Sequence, residues 1–209
     1  MEPLAPVMAT TILFMPVRFE EVGSPASCFN LKCMQKIMLA VVSAWLFAFS
    51  CAEKPVPKGG KLNWMTLGEA KAALQKEKRP ILIDLYTGWC GWCKVMDKKT
   101  YTNDKVIAYL QQHFYPVKLD AETRETLEWE NHRYNFNSSY HTNEIALYLT
   151  RGQLSYPTTV IIPLDGSGPQ AIPGYLQPAE LELIVKYFGE GKYGHEPFES
   201  WRQHFKASW

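Results

Sequence analysis

The sequence predicts an α/β fold built around a pair of neighbouring parallel strands. Residues 81–86 form an apolar, strand-forming run that only Asp84 interrupts, and residues 114–120 form a second run entered through Tyr115-Pro116. Helical patterns lie before the first run and between the two runs. Strands and helices that alternate at this length are typical of a βαβ unit. The 209-residue chain is 46% hydrophobic and 13% aromatic, which is ample for a packed core.

Apolar spacing, caps and turn residues predict the other elements. The first half is expected to contain a helix over 62–78 with Thr66 as its N-cap, the strand 81–86, a helix opening at the cysteines and running to 99, a short helix around 106–110 and the strand 114–120. The second half is expected to contain a hairpin turning near 130–132, a helix over 144–149 stopped by Gly152, a strand over 156–162, its hairpin partner near 171–172, a helix over 178–187 and a docked tail helix around Phe198, Trp201 and Phe205.

Charge and cysteine content narrow the class of protein. The formal net charge is +1, so there is no electrostatic reason to expect nucleic acid as a partner. Three of the five cysteines, Cys28, Cys33 and Cys51, precede the predicted body, and only Cys90 and Cys93 lie within it. The chain is therefore not a small domain held together by several disulfides.

The region before the body resembles an export signal. Residues 37–49 form an apolar run preceded by Lys32 and Lys36, and the run is shorter than the roughly 20 apolar residues that span a membrane. One ending makes Cys51 the lipidated first residue of a lipoprotein. The other places ordinary cleavage after Ala52, and a buried N-terminal helix is a third interpretation. The favoured lipoprotein ending predicts a periplasmic or cell-envelope location, with a lipid anchor as the only membrane attachment.

The leader divides into segments of different expected fate. Residues 1–33 show no clear periodicity, and we expect translation to start at Met34 or Met38, so that these residues are absent from the natural protein or disordered. Residues 34–52 are then the signal. A polar stretch with two prolines, 53–61, is the expected linker to the body.

The stretch Trp89-Cys90-Gly91-Trp92-Cys93-Lys94 carries the chemistry. It follows a buried strand and opens a helix, whose unpaired N–H groups and dipole stabilise a thiolate. The spacing of three residues puts both sulfurs on one helix face, where they can form a disulfide. An inert structural disulfide or half of a zinc site are the alternatives. Zinc is disfavoured because it usually needs four ligands and the body has no second cysteine pair.

These residues resemble the thioredoxin family. The motif matches the thioredoxin Trp-Cys-Gly-Pro-Cys-Lys sequence at all but one position, and Asp84 stands six residues before the first cysteine, as a buried aspartate does in thioredoxins. Lys118 matches the lysine that pairs with that aspartate. Tyr156-Pro157-Thr158 matches the segment that contains the cis-proline, and Gly174 matches the glycine after the last strand.

The resemblance covers residues 62–189 and implies a thioredoxin fold, a central mixed sheet flanked by helices. It implies an insertion, about 121–140, between the third strand and the cis-proline strand, with 190–209 as a docked tail. More narrowly, the chain is similar to exported bacterial proteins of the thiol:disulfide interchange type. Two further departures are Trp92, which replaces the motif proline, and Lys98, which occupies the position of the helix-bending proline.

The resemblance also implies a role for each site residue. Cys90, the more exposed thiol, attacks a substrate disulfide, and Cys93 resolves the mixed disulfide. Asp84, with a pKa raised by burial, exchanges a proton with Cys93 through a water, and Lys118 holds the charge state of Asp84. In the alternative interpretations, Asp84 and Lys118 are merely solvated.

The expected substrate surface combines the motif with the proline segment. Pro157 is expected to be cis, with Tyr156 offering its backbone to an extended peptide, although a trans proline at a strand edge is the alternative. Trp89, Gly91 and Trp92 complete this surface.

The favoured hypothesis is a thiol–disulfide oxidoreductase of the cell envelope that reduces or isomerises protein disulfides without a cofactor or metal. Its partners are disulfide-containing client proteins and a membrane thiol electron donor. A peptide-binding or chaperone-like module with a structural disulfide is the alternative from another class, and a metallochaperone is a third. The insertion is expected to shape partner choice, and deletion of 126–137 is expected to leave folding intact.

Overall fold

The computed structural model describes residues 60–209. The predicted start at Met34, the signal 34–52, the lipidation site Cys51 and all but the end of the linker lie outside the described residues. Within the described part, no helix is both long and apolar enough to cross a lipid bilayer.

A four-stranded mixed sheet forms the centre of this part, in the order β2 (Tyr115–Asp120), β1 (Ile81–Tyr86), β7 (Thr158–Ile162) and β8 (Gln170–Pro173). β1 runs parallel to β2 and antiparallel to β7, and β7 is antiparallel to β8. The parallel pair expected from the apolar runs is confirmed.

Six helices accompany the sheet in the described residues: α1 (Leu67–Leu74), α2 (Gly91–Lys99), α3 (Asp104–His113), α4 (Glu144–Thr150), α5 (Pro178–Gly189) and α6 (Phe198–His204). Local chemistry sets their ends. Thr66 caps α1, as predicted, in a capping box with Glu69. Gly152 follows α4 with a φ of 79°, as expected of a glycine just past a helix end.

The first helix is shorter than predicted. Residues 62–66 do not join α1; instead Met65 donates its N–H to the carbonyl of Pro116 at 2.8 Å and accepts the N–H of Lys118 at 3.2 Å. This single parallel bridge between Met65 and Val117 lies at the outer edge of β2. In residues 62–66, pairing with the sheet therefore replaces the helix that the apolar spacing predicts. The insertion was expected after the third strand of the sheet. Because residues around Met65 form only a single bridge and not a strand, the insertion follows the second strand of the described chain, β2.

The insertion forms two small antiparallel hairpins. β3 (Leu127–Trp129) pairs with β4 (His132–Tyr134), and β5 (Phe136–Asn137) pairs with β6 (Thr142–Asn143). The first hairpin confirms the predicted turn, because Glu130 and Asn131 both have positive φ, at 49° and 61°, as a two-residue type I′ turn requires. The second hairpin was not predicted.

The core lies on both faces of the sheet, because successive side chains of β1 point to opposite sides. Ile81, Ile83 and Leu85 join the cluster that includes α1, α4 and the first hairpin. Leu82 joins the other cluster, with residues of α2, α3 and α5. Asp84 shares the side of Leu82 by the same alternation, which directs a carboxylate into the layer that holds the cysteine helix.

Candidate active site

Cys90 and Cys93 form a disulfide at the start of α2. Cys90 is the N-cap residue, and its Sγ accepts the N–H of Cys93 at 3.0 Å. The Cα atoms are 5.3 Å apart, which lies within the ordinary range for a disulfide. The helix N-terminus therefore directs an N–H group at the sulfur of Cys90, an arrangement that favours the thiolate once the bond is reduced.

The expected difference in exposure between the two cysteines is absent in this disulfide form. The exposed fractions are 4% for Cys90 and 3% for Cys93. Both cysteines are buried to the same degree, so accessibility does not distinguish them. The cap geometry, which favours negative charge at Cys90, is the feature that distinguishes them.

Asp84 is a buried carboxylate in the centre of β1, only 1% exposed. Lys118 is its direct neighbour in the parallel register with β2, and the lysine Nζ donates to Asp84 Oδ2 at 2.7 Å. Burial raises the pKa of Asp84 to about 6, and the attraction of Lys118 opposes that rise only in part. The alternative interpretations of solvated side chains are therefore wrong for Asp84, and Lys118 is its ion-pair partner.

Lys118 also pairs with a second carboxylate, Asp97 on α2, which the sequence analysis did not single out. Asp97 is 41% exposed at its side chain and adds to the rise in the pKa of Asp84. Burial alone lowers the pKa of Lys118, but the two carboxylates outweigh burial and raise it. The four-residue spacing from Cys93 to Asp97, which is one helical turn, was the available signal.

Aromatic rings surround the ammonium group of Lys118. Its Nζ lies 4.9 Å from the ring centre of Tyr86, 5.2 Å from that of Trp64 and 5.8 Å from that of Tyr101. Ring faces attract a cation at such distances. The cation is therefore held in place from several sides while it neutralises two carboxylates.

The peptide bond between Tyr156 and Pro157 is cis, as predicted. Pro157 accepts the N–H of Gly174 at 2.8 Å, which ties this loop to the chain after β8. Thr158, the next residue, begins β7 beside β1. The proline segment therefore belongs to the edge of the sheet where β1 ends and the cysteine motif begins.

The two tryptophans of the motif are among the most exposed large apolar side chains of the described residues, at 67% for Trp89 and 63% for Trp92. Trp89 donates its indole N–H to Glu122 Oε1 at 2.9 Å, and its ring meets that of Tyr156 edge-on. Trp92 instead lies against Tyr175, with ring centres 5.6 Å apart. Gly91, the first residue of α2, is exposed between them.

Glu122 and Tyr175 are site residues that the sequence analysis missed. Glu122 belongs to the insertion, and Tyr175 follows Gly174 after the last strand. Neither lies in a recognisable motif. Within residues 60–209, no three His, Cys, Asp or Glu side chains come together in a group that could hold a metal ion.

The sheet order, the helix that starts at a cysteine pair and the cis-proline before β7 define a thioredoxin-like protein. A family model described as "Thioredox_DsbH: Protein of unknown function, DUF255" matches residues 51–167, more than half of the chain. The chain belongs to this family.

Comparisons with individual proteins give partial matches. The thioredoxin of Borreliella burgdorferi is 30% identical over 116 residues, which are 53% of this chain and 74% of that protein. Human spermatogenesis-associated protein 20 is 29% identical over 68 residues, 32% of this chain, but the match covers 9% of that much longer protein. Among solved structures, a "DsbH Oxidoreductase" superposes with a TM-score of 0.46 at 17% identity, over 67% of this chain and 93% of the other.

Proposed function

We propose that this protein is a thiol–disulfide oxidoreductase of the cell envelope that reduces or isomerises disulfides of client proteins. The observation that carries the proposal is a cysteine pair at a helix N-terminus on the same side of the sheet as the buried carboxylate of Asp84. A purely structural disulfide needs no ionisable group in the layer behind it. A carboxyl with a pKa of about 6 can take and return a proton near neutral pH.

The proposed reduction transfers two electrons in two exchange steps. The Cys90 thiolate attacks one sulfur of a substrate disulfide; a Cys90–substrate disulfide forms and the other substrate sulfur leaves as a thiolate that takes a proton from water. Cys93 then passes its proton through water to Asp84 and attacks the sulfur of Cys90. The Cys90–Cys93 bond closes, the second substrate thiolate leaves and is protonated, and a membrane dithiol donor re-reduces the pair.

The other site residues support these steps. Lys118, shared with Asp97, moderates the charge of Asp84. The exposed ring of Trp89 meets the ring of Tyr156, the residue before the cis-proline, and together they offer a surface to an extended peptide. Gly91, exposed at the start of α2, leaves room for a client chain beside the motif, since no atom lies within 4 Å of where its Cβ would be.

Single-cysteine variants test the proposal. Cys90→Ser should lose disulfide reduction and trap no client, whereas Cys93→Ser should accumulate client proteins in mixed disulfides that a reducing agent releases. Equal rates of disulfide reduction for the wild type and both variants would contradict the proposed oxidoreductase function. The reduction potential of the Cys90–Cys93 couple, compared with that of the compartment, decides whether the protein works as a reductant or an isomerase.

The envelope location rests on the leader. We propose that 34–52 is an export signal, that Cys51 carries the lipid, and that 53–61 links it to the 62–189 domain and its 190–209 tail. In a bacterial host, mass spectrometry of the mature N-terminus should find a lipidated Cys51, and Cys51→Ala should move the protein out of the membrane fraction. A mature N-terminus within residues 1–33 would contradict the proposed start.

A further inference from the structure

Three buried polar atoms without a hydrogen-bond partner belong to side chains on the cysteine side of the sheet. They are Asp84 Oδ1, Thr159 Oγ1 and Tyr101 Oη, and within the described residues none of them has a partner. Buried polar groups in folded proteins are almost always paired, because an unpaired group has lost its water and gained nothing in return. Three such atoms in one region therefore indicate a polar group that serves the site.

The sheet register brings Asp84 and Thr159 together. Asp84 of β1 has two direct cross-strand neighbours, Lys118 on β2 and Thr159 on β7. Directly paired residues of antiparallel strands project from the same face, with Cβ atoms about 4.5–5.5 Å apart. Lys118 Nζ binds Oδ2 of the aspartate. Oδ1 is therefore the oxygen that is left for a partner from β7 or from the helix above it.

Tyr101 joins this group from the end of α2. It is 4% exposed and packs in the same core cluster as Leu82, whose side chain shares the face of Asp84. Burial raises the pKa of Tyr101, the charge of Asp84 raises it further, and the side chain of Thr159 lowers it. The phenol is therefore close enough to both side chains to interact with each of them.

The ion pair with Lys118 determines which oxygen of Asp84 takes a proton. An oxygen that accepts from an ammonium group keeps its negative charge, so the proton of the neutral carboxyl belongs on Oδ1. A hydroxyl group can both donate and accept a hydrogen bond, whereas an ammonium group can only donate. A hydroxyl can therefore bind Oδ1 in the charged form and in the protonated form.

On the basis of the proposed function, we propose that Tyr101 and Thr159 are positioning residues whose hydroxyl groups hold Oδ1 of Asp84 while it takes up and returns the proton of Cys93. They donate to Oδ1 when it is charged and accept its O–H when it is protonated. The contact forms after a small side-chain rotation or through one shared water, which has three polar partners there. One proton moves from Cys93 Sγ to Asp84 Oδ1, and no other bond changes in this step.

The hydroxyls should stabilise the charged carboxylate more than the neutral acid, because hydrogen bonds to an ionised group are about twice as strong. The other groups that act on Asp84 are Lys118 on β2 and Asp97 on α2, and Tyr86 of β1 faces the same ammonium. Substitutions at Tyr101 and Thr159 leave all three in place. Removal of one hydroxyl should therefore raise the pKa of Asp84 by about one pH unit.

Titration of the oxidised protein measures this pKa without any need for activity. The aspartate carboxyl carbons are isotope-labelled for NMR, and the Asp84 signal is identified by its loss in Asp84→Asn. The wild type should titrate at about pH 6, and Tyr101→Phe and Thr159→Val should each titrate about one unit higher. Thr159→Ser keeps a hydroxyl group and should restore the wild-type midpoint.

Tyr109→Phe is the matched control. Tyr109 Oη is also a buried phenol oxygen without a hydrogen-bond partner in the described residues. It lies against Gly189, the last residue of α5, and not beside Asp84. Its removal takes away the same chemical group from another part of the core, and the midpoint of Asp84 should stay where it is in the wild type.

The resolving step tests the consequence for the reaction. The Cys90–glutathione mixed disulfide is prepared at acidic pH, where Cys93 is protonated, and glutathione release is followed after a jump to higher pH. Asp84 must be ionised to accept the proton of Cys93. Release from Tyr101→Phe should therefore be about fivefold slower than from wild type near pH 6 and should approach the wild-type rate above about pH 8. Tyr109→Phe should follow the wild type throughout.

The outcomes separate the inference from the function on which it rests. A midpoint that fails to rise in one variant removes that residue from the proposal, and no rise in either variant overturns it. A raised midpoint with an unchanged pH dependence of glutathione release overturns the role of the hydroxyls in the reaction. Failure of the wild type to release glutathione at any pH overturns the proposed oxidoreductase, while the titration still decides whether the hydroxyls hold Asp84.

Discussion

At the scale of single residues, the surroundings of Asp84 set the pKa of its carboxyl group. The carboxyl is deprived of water, which favours its neutral form, while Lys118 favours the charged form. One lysine serves two carboxylates, Asp84 and Asp97, so the compensation at Asp84 is incomplete. The result is a group that holds its proton until about pH 6 rather than near pH 4.

The first prediction concerns stability against pH. The native state binds the Asp84 proton more tightly than the unfolded chain does, so this group's contribution to stability is full below about pH 4 and is lost as pH rises through about 6. The shift corresponds to about 3 kcal/mol. Urea unfolding of the oxidised protein should show that the wild type loses most of this amount, relative to Asp84→Asn, between pH 4 and pH 7. Parallel stability curves for the two proteins would contradict it.

The second prediction concerns Asp97. Because its charge raises the pKa of Asp84, Asp97→Asn should lower that pKa and move the acidic limb of the pH–rate profile for disulfide exchange to lower pH. Glu199→Gln is the control, since Glu199 is an exposed carboxylate, 73% at its side chain, on α6. A profile that stays in place in Asp97→Asn, with only the overall rate changed, would indicate that Asp97 merely attaches α2 to the sheet.

At the scale of elements, the end of the chain is fastened to α5 through a buried carboxylate. Glu182 is 0% exposed. Its carboxylate accepts hydrogen bonds from the backbone N–H groups of Ser208 and Trp209, at 2.7 and 2.9 Å, and forms an ion pair with Lys186 at 2.8 Å. Burial alone raises the pKa of Glu182, but these donors outweigh burial and lower it. The Trp209 ring then packs against Tyr109 of α3. The docked tail is therefore held by both charge and packing.

The third prediction follows from this attachment. Glu182→Gln should destabilise the protein by about 1–3 kcal/mol, because the two N–H groups and Lys186 lose a charged acceptor. The difference should shrink as pH falls below about 4 and the wild-type carboxyl becomes protonated. Glu190→Gln, an exposed carboxylate just past the same helix, should change stability little. Thermal unfolding at pH 7 and pH 3 measures both effects, and equal losses in the two variants would contradict the attachment.

At the scale of the whole molecule, the insertion is part of the core. Trp129 and Tyr134 of the first hairpin are 6% and 7% exposed and belong to the cluster that includes β1 and α4. The expectation that 126–137 can be deleted without effect on folding is therefore wrong, because the deletion removes two core aromatic residues. Through Glu122, near its start, the insertion also reaches Trp89 of the active-site motif.

The fourth prediction concerns how much the first hairpin contributes to the stability of the core. Trp129→Ala should destabilise the protein by about 3–5 kcal/mol, the usual cost of removing a large aromatic side chain from a core. Tyr140→Ala, which changes an exposed aromatic residue in the same insertion, should stay within about 0.5 kcal/mol. Denaturant unfolding of the two variants decides the matter, and a small loss for Trp129→Ala would mean that the hairpin is an appendage.

Local patterns in the sequence were sufficient to predict most of the helices and strands and the residues at the centre of the candidate active site. Some features depend only on residues that are close in sequence, and local patterns therefore predict them. These are the Thr66 cap, the apolar runs of the two parallel strands and the end of α4 at Gly152. The first helix was overextended because the pairing of Met65 with β2 is a long-range contact that no local pattern reveals. The second hairpin was missed because its two-residue strands are too short to show alternation.

The sequence by itself determined the cysteine pair at a helix start, the aspartate on the preceding strand and the X-Pro segment, since each is a local motif. Only the tertiary structure decided which other residues join them. Asp97 meets Lys118, Glu122 meets Trp89 and Tyr175 meets Trp92 across gaps of 21, 33 and 83 residues. Sheet register and helix packing create those contacts, and they depend on how the whole core fits together.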